Sequence, residues 1–157
     1  GPRGTATRPL TDRVKESLFG ALEAEGALDG PFLDLFAGTG AAGIEALSRG
    51  APAATFVERD GKACRVIGTN LRRTRLESLA HVVRADVISY LQAGSAEARV
   101  PFAACLADPP YDVTVLARTL ELLGDPARRL SGGTRRLPAL AQGGVARREC
   151  GRLRDLA

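Results

Sequence analysis

The apolar positions of this chain change their period several times, and each change marks an element. Val14, Leu18 and Leu22 recur at spacing four, which predicts a helix with one apolar face. Thr11 caps it, with Asp12 and Glu16 favourable near its positive end, and Gly26 and Asp29-Gly30-Pro31 stop it. Phe32-Leu33-Asp34-Leu35-Phe36 then reads as a short buried strand, Gly38-Thr39-Gly40 as a tight turn, and residues 41–48 as a helix stopped by Arg49-Gly50-Ala51-Pro52. A second strand covers Ala54-Thr55-Phe56-Val57 and ends at Glu58; a helix over 61–76 carries Ala63, Val66, Ile67, Asn70 and Leu71. A third strand, His81-Val82-Val83, ends before Asp86, a short helix covers 87–91, and 94–99 form a loop. A fourth strand over 102–106 ends at Asp108, and 113–123 are helical.

Strands alternating with helices predict an α/β fold, a mostly parallel sheet with helices on both faces. Ligands of such sheets sit beyond the carboxyl ends of the strands. Asp34, Gly38, Glu58, Asp86 and Asp108 all fall at or just after predicted strand ends, and their convergence says more than any one of them. After Gly124 the pattern fails, because no four-residue β-branched or aromatic run occurs between Asp125 and Ala157. The C-terminal strands are therefore expected to be missing or irregular. The organisation expected is one domain over 1–157: an extension at 1–10, a core at 11–124, and a basic, atypical segment at 125–157.

The length, 157 residues, fits a single domain, and 45% hydrophobic with 25% charged residues is an ordinary globular balance. No apolar run approaches the roughly 20 residues of a membrane helix, and the polar, Arg-containing N-terminus is unlike a secretory leader. Cys64, Cys105 and Cys150 are odd in number and widely spaced, which argues against a disulfide framework or zinc site and fits a reducing cytoplasm. His81 is the one histidine, so no His-rich metal centre is expected. Methionine is absent even at position 1, as in a processed chain or fragment, and Gly1-Pro2 carries no fold argument. Charge changes the picture more. Residues 125–157 hold eight arginines against Asp125, Glu149 and Asp155, so of the net +4 this segment carries +5 and the rest −1. A basic tail on a mildly acidic body fits nucleic-acid contact, and equally a solvated surface.

The turn Gly38-Thr39-Gly40-Ala41-Ala42-Gly43 satisfies G-x-G-x-x-G, and Glu58 follows 18 residues after Gly40, where a carboxylate can accept from ribose hydroxyls. Alone this fits NAD, FAD or S-adenosylmethionine, or glycines serving only the turn. Asp34 discriminates, since a carboxylate beneath the turn repels a pyrophosphate and attracts the ammonium and sulfonium of S-adenosylmethionine. Asp86 is placed to accept from an adenine amino group with Val87 against the ring, or simply to cap a helix. The cofactor set is therefore Asp34 with Phe36, Ala37, Gly38, Thr39 and Gly40 of the turn. Glu58, Arg59, Asp86, Val87 and Asp108 complete it.

Asp108-Pro109-Pro110-Tyr111 follows an apolar strand. Two prolines stiffen the chain and leave carbonyls free to accept. An aryl amine is a poor nucleophile, and acceptors aimed at its hydrogens direct its lone pair at a methyl group. Asp108 Oδ and the Pro109 carbonyl are such acceptors, and Tyr111 offers a face on which a base stacks for roughly 1–3 kcal/mol. In-line methyl transfer then needs positioning more than acid–base chemistry, with Asp108 available to take the proton afterwards. A Pro-Pro turn with Asp as a cap is the plainer alternative.

With these residues in view, the chain resembles the RsmD family of bacterial 16S ribosomal RNA guanine-N2 methyltransferases. The likeness covers Arg8 to about Asp112. It rests on Thr7-Arg8-Pro9-Leu10-Thr11-Asp12-Arg13-Val14-Lys15-Glu16-Ser17-Leu18-Phe19, with Leu10 where the family usually has Thr, and on Leu33-Asp34-Leu35-Phe36-Ala37-Gly38-Thr39-Gly40. Gly43-Ile44-Glu45-Ala46-Leu47-Ser48-Arg49-Gly50-Ala51, Phe56-Val57-Glu58, Asn70-Leu71 and Leu106-Ala107-Asp108-Pro109-Pro110-Tyr111 extend it. The resemblance implies a Rossmann-like class I S-adenosylmethionine-dependent methyltransferase. It implies 16S rRNA in an assembling small subunit as partner, no metal, a monomer, and Arg8, Thr11, Arg13 and Tyr111 at the substrate mouth. The family's basic N-terminal hairpin is missing, and residues 125–149 look foreign to it, as a misread Arg-rich coding region would. The competing functions are amino-methylation of DNA adenine or protein glutamine, a non-catalytic RNA-binding remnant, and an NAD-dependent oxidoreductase. The last rests on the glycine pattern alone, without an evident hydride-site His or Tyr–Lys pair.

Overall fold

The computed structural model describes residues 12–93, 102–109, 112–124, 138–141, 144–149 and 152–156. Arg8, Thr11, Pro110, Tyr111 and the loop at 94–99 lie outside them. The elements follow the order α1 (Asp12–Ala24), β1 (Phe32–Leu35), α2 (Ala41–Ser48), β2 (Ala54–Glu58), α3 (Gly61–Thr74), a 3-10 turn at Glu77–Leu79, β3 (Ala80–Arg84), α4 (Val87–Ala93), β4 (Ala104–Ala107) and α5 (Val113–Gly124). Then come β5 (Pro138–Ala141), β6 (Gly144–Glu149) and β7 (Arg152–Leu156).

All seven strands form one sheet in the order β3-β2-β1-β4-β5-β6-β7. The strands from β3 to β5 run parallel, β6 runs antiparallel to β5, and β7 antiparallel to β6. The chain begins in the middle of the sheet and winds outward first one way, then the other. Alternation along the strands splits the core in two. Phe32, Phe56, Ala104 and Leu106 face Phe19 and Leu22 of α1, Leu47 of α2, and Ile67 and Leu71 of α3. Leu33, Leu35, Val57, Cys105 and Ala107 face Val87, Tyr90 and Leu91 of α4 and Leu122 and Leu123 of α5. Helices thus cover both faces, as the alternating pattern predicts.

Three expectations need correction. The C-terminal strands are neither missing nor confined to an irregular tail, because β5 extends the parallel sheet beside β4, with Cys105, Leu106 and Ala107 opposite Ala139, Leu140 and Ala141. β5 and β6 thus lie within 125–149, where the residue pattern predicted no strand. Phe36 is not a strand residue. β1 ends at Leu35 and Phe36 turns left-handed at φ 59°, an unusual conformation for a side chain of this bulk, because the chain must leave the sheet for the glycine turn. The helix over 61–76 ends earlier, at Thr74, where Arg75 takes a left-handed cap at φ 58°.

Candidate active site

The glycine turn and the start of α2 rest on one left-handed glycine and one close approach. Gly40 has φ 81° and precedes α2 without a side chain to cap it. A Cβ on Gly43 would lie 2.3 Å from Phe56 Cε1, so only glycine lets the α2 backbone settle on the β2 ring. Gly38, at φ 58°, has nothing within 4 Å of where its Cβ would be. That open space lies in front of the turn and leaves its backbone accessible.

The missing cap is supplied from the neighbouring strand. Asp34 lies on the α2 side of β1, 2% exposed, and its Oδ2 accepts the Gly43 N–H at 3.0 Å. This satisfies one of the amides that every helix start leaves open. Burial is nevertheless the stronger influence on Asp34. It raises the carboxyl pKa from 3.8 to about 8, the Gly43 hydrogen bond opposes the rise, and the charges of Asp108 and Glu58 add to it. The group thus holds a proton at neutral pH while it faces two other carboxylates.

Glu58 closes the turn from β2. Its Oε2 accepts the Gly38 N–H at 2.9 Å and its Oε1 the Asp60 N–H at 3.2 Å. Asp60 in turn caps α3 through the amides of Lys62 and Ala63. Asp108 follows β4, one strand from Asp34, with its pKa raised by partial burial, and Pro109 beside it is buried. The structure therefore brings Asp34, Gly38, Thr39, Gly40, Glu58 and Asp108 to the carboxyl edge of β1, β2 and β4. Ala37 joins them, its N–H donating to the Val57 carbonyl at 3.1 Å.

The other expected residues are placed differently. Asp86, beyond the outer strand β3, is exposed, and its Oδ2 accepts from Ser89 N–H at 3.0 Å and Ser89 Oγ at 3.3 Å. Of its two readings, helix cap is the one these contacts match, while Val87 is buried below it. Arg59 is exposed after β2, and Arg13 is exposed in the first turn of α1. Among the described residues no group of three His, Cys, Asp or Glu is arranged to hold a metal ion, and no helix is long and apolar enough to cross a membrane.

Asn70 has a contact that sequence reasoning did not assign. Its Nδ2 donates to the Thr39 carbonyl at 3.0 Å, so α3 holds the glycine turn. The signal was an amide lying in the periodic series Ala63, Ile67, Asn70, where an apolar residue would simply have packed.

A doubly wound sheet, a glycine turn after its first strand and acidic residues at the ends of β1, β2 and β4 define a Rossmann-like class I methyltransferase fold. The solved Escherichia coli protein yhhF superposes with a TM-score of 0.69 at 35% identity, over 83% of this chain and 69% of that one. Residues 1–129 match the family described as Conserved hypothetical protein 95. The chain belongs to that family, the RsmD family that its motifs resemble. It is 41% identical over 128 residues to YlbH of Bacillus subtilis, and 39% identical over 124 residues to ribosomal RNA small subunit methyltransferase D of Escherichia coli K12. Those matches take in 78% and 79% of this chain but 65% and 60% of the relatives. The chain thus spans about three fifths of their length, and β5, β6 and β7 lie beyond the family match.

Proposed function

We propose that the chain transfers a methyl group from S-adenosylmethionine to the exocyclic N2 amino group of a guanine in 16S ribosomal RNA, within an assembling small subunit. The observation that carries this reading is the convergence of Asp34, Glu58 and Asp108 around the open glycine turn. A buried carboxyl group between two carboxylates is a receptor for a cation, and it disfavours the pyrophosphate of a dinucleotide. The name of the Escherichia coli relative supports ribosomal RNA as the acceptor.

The residues fit the cofactor. Bound S-adenosylmethionine supplies an electrophilic methyl group on a sulfonium. Asp34 would release its proton to solvent and hold the ammonium beneath the turn, where there is open space beside Gly38. Glu58, already bonded to the turn, keeps lone pairs for ribose hydroxyls. Asp86 and Val87 flank the adenine in this assignment, and Phe36 and Arg59 line its entrance. Asp108 Oδ and the Pro109 carbonyl accept from the two hydrogens of the guanine amine. Pro110, Tyr111, Arg8, Thr11 and Arg13 are assigned to the substrate mouth on sequence grounds. The whole of 1–157 acts as one domain and as a monomer.

The test uses tritiated S-adenosylmethionine with protein-assembled small-subunit particles, naked 16S rRNA and DNA. Label on guanine N2, strongest with particles, is the expected result. Label on adenine or on protein glutamine would move the chain to another amino-methyltransferase class. A folded chain that binds cofactor and labels nothing would make it the RNA-binding remnant.

A further inference from the structure

The solvent face of α3 is a band of positive charge. Across its 14 residues the helix carries Lys62, Arg65, Arg72 and Arg73 and no acidic residue, and all four are exposed. With 3.6 residues per turn, Ile67 and Leu71 point to the sheet and the four cations fall on the opposite side. Arg75 continues the band past the helix end, also exposed. The ion pairs found among the described residues join Lys15 to Glu45, Arg49 to Glu23 and Glu45, and Arg118 to Glu121; none involves the α3 cations.

Folding gives only half of this band a purpose. Arg72 and Arg73 sit in the last turn, where the helix dipole favours cations. Lys62 lies in the first turn, where the dipole opposes them, and Arg84 from β3 adds a guanidinium 2.9 Å from where a Gly61 Cβ would be. Of the acids at this end, Asp60 has both carboxylate oxygens engaged in capping, and Glu58, opposite Arg84, has its oxygens on the Gly38 and Asp60 N–H groups. The band runs about 16 Å from Lys62 to Arg73, long enough for several consecutive strand phosphates. Asn70 bonds the same helix to Thr39, so the band is fixed rigidly beside the site.

We infer that the exposed face of α3 is the track on which the phosphate backbone of the RNA substrate docks. The inference rests on the methyl-transfer reading for the identity of the polyanion. It gives the catalytic domain its own grip on RNA, independent of the arginines at 125–157.

The test is the triple variant R65Q/R72Q/R73Q of the full chain, with R118Q on α5 as control. Binding of 16S rRNA is titrated at several salt concentrations, cofactor binding is followed by calorimetry, and methyl transfer is followed against RNA concentration. The triple variant is expected to bind RNA about tenfold or more weakly, with a salt slope lower by about 2. Its KM for RNA rises while kcat and cofactor affinity stay those of the parent. R118Q behaves as the parent throughout. Parent-like RNA affinity and salt slope in a triple variant that still binds cofactor would overturn the inference. If the parent binds RNA through this face yet methylates nothing, the docking track stands and the methyl-transfer reading falls.

Discussion

Replacing Asp34 by asparagine exchanges a buried carboxyl group for an amide of nearly the same shape. The amide oxygen can still accept the Gly43 N–H that starts α2. What disappears is the proton equilibrium. Asp34 titrates at about 8 in the folded chain against 3.8 as an ordinary carboxyl group. Between these values the folded chain holds a proton that the unfolded chain has released, so stability falls as pH rises through this window and levels off above it. One such proton corresponds to about 1.4 kcal/mol per pH unit, or roughly 3 kcal/mol between about pH 5 and pH 7. Burial sets most of the window, and the charges of Asp108 and Glu58 widen it. Urea unfolding of parent and Asp34→Asn across this range reads the contribution of Asp34 together with its coupling to Asp108 and Glu58. The difference curve should slope steeply, with the variant relatively more stable toward alkaline pH and the parent's midpoint moving by about 1–2 M more than the variant's. Cofactor affinity of the parent should rise with pH up to about 8, as the proton becomes easier to displace, and that dependence should be lost with the variant's weakened binding. Parallel stability curves would refute the placement of a proton on Asp34.

Three further changes probe the site. Asp108→Ala should lower methyl transfer by at least about a hundredfold and cofactor affinity far less, and near-full activity would remove Asp108 from the chemistry. Gly43→Ala should lower Tm although alanine favours helices, because its methyl meets the Phe56 ring; overpacking of this kind costs about 1–3 kcal/mol, and a raised Tm would contradict the contact. Asn70→Ala removes the hold on Thr39 and should weaken cofactor binding about fivefold with little effect on thermal unfolding, as expected for one hydrogen bond near the surface.

The first four strands and five helices were legible because each buried face left a periodic trace. Phe32, Leu33, Leu35, Phe56 and Val57 are fully buried and apolar, and of the acids beside them Asp34 lies inside β1 while Glu58 ends β2. Phe36 was misread because an aromatic residue after a strand looks like more strand, whereas its backbone turns left-handed at φ 59°. The C-terminal strands carry a weaker trace. Pro138-Ala139-Leu140-Ala141 has neither alternation nor β-branched residues, and short runs of Ala and Leu are ambiguous between helix and strand. Proline at the first position of a strand is tolerated, and Gln142-Gly143-Gly144 between two runs is the hairpin signal that was there to be used. Within the site, the acids at the ends of β1, β2 and β4 were legible from strand ends, whereas the proton on Asp34 was not, because it arises from neighbours brought together only by the sheet.

The bond from Asp34 to Gly43 also bears on how this chain can change over generations. One carboxyl group starts a helix and, in the proposed chemistry, receives the cofactor's ammonium. A replacement that spoils the second task also unsettles the first, so loss of activity at this position is accompanied by loss of the fold's own integrity. Descendants that abandon the reaction by drift at Asp34 would be removed as poorly folded proteins before any new use for the pocket could arise. Asparagine separates the two tasks, because its amide oxygen can keep the Gly43 bond without the charge. A lineage that kept the shape and gave up the ligand would be expected to pass through it.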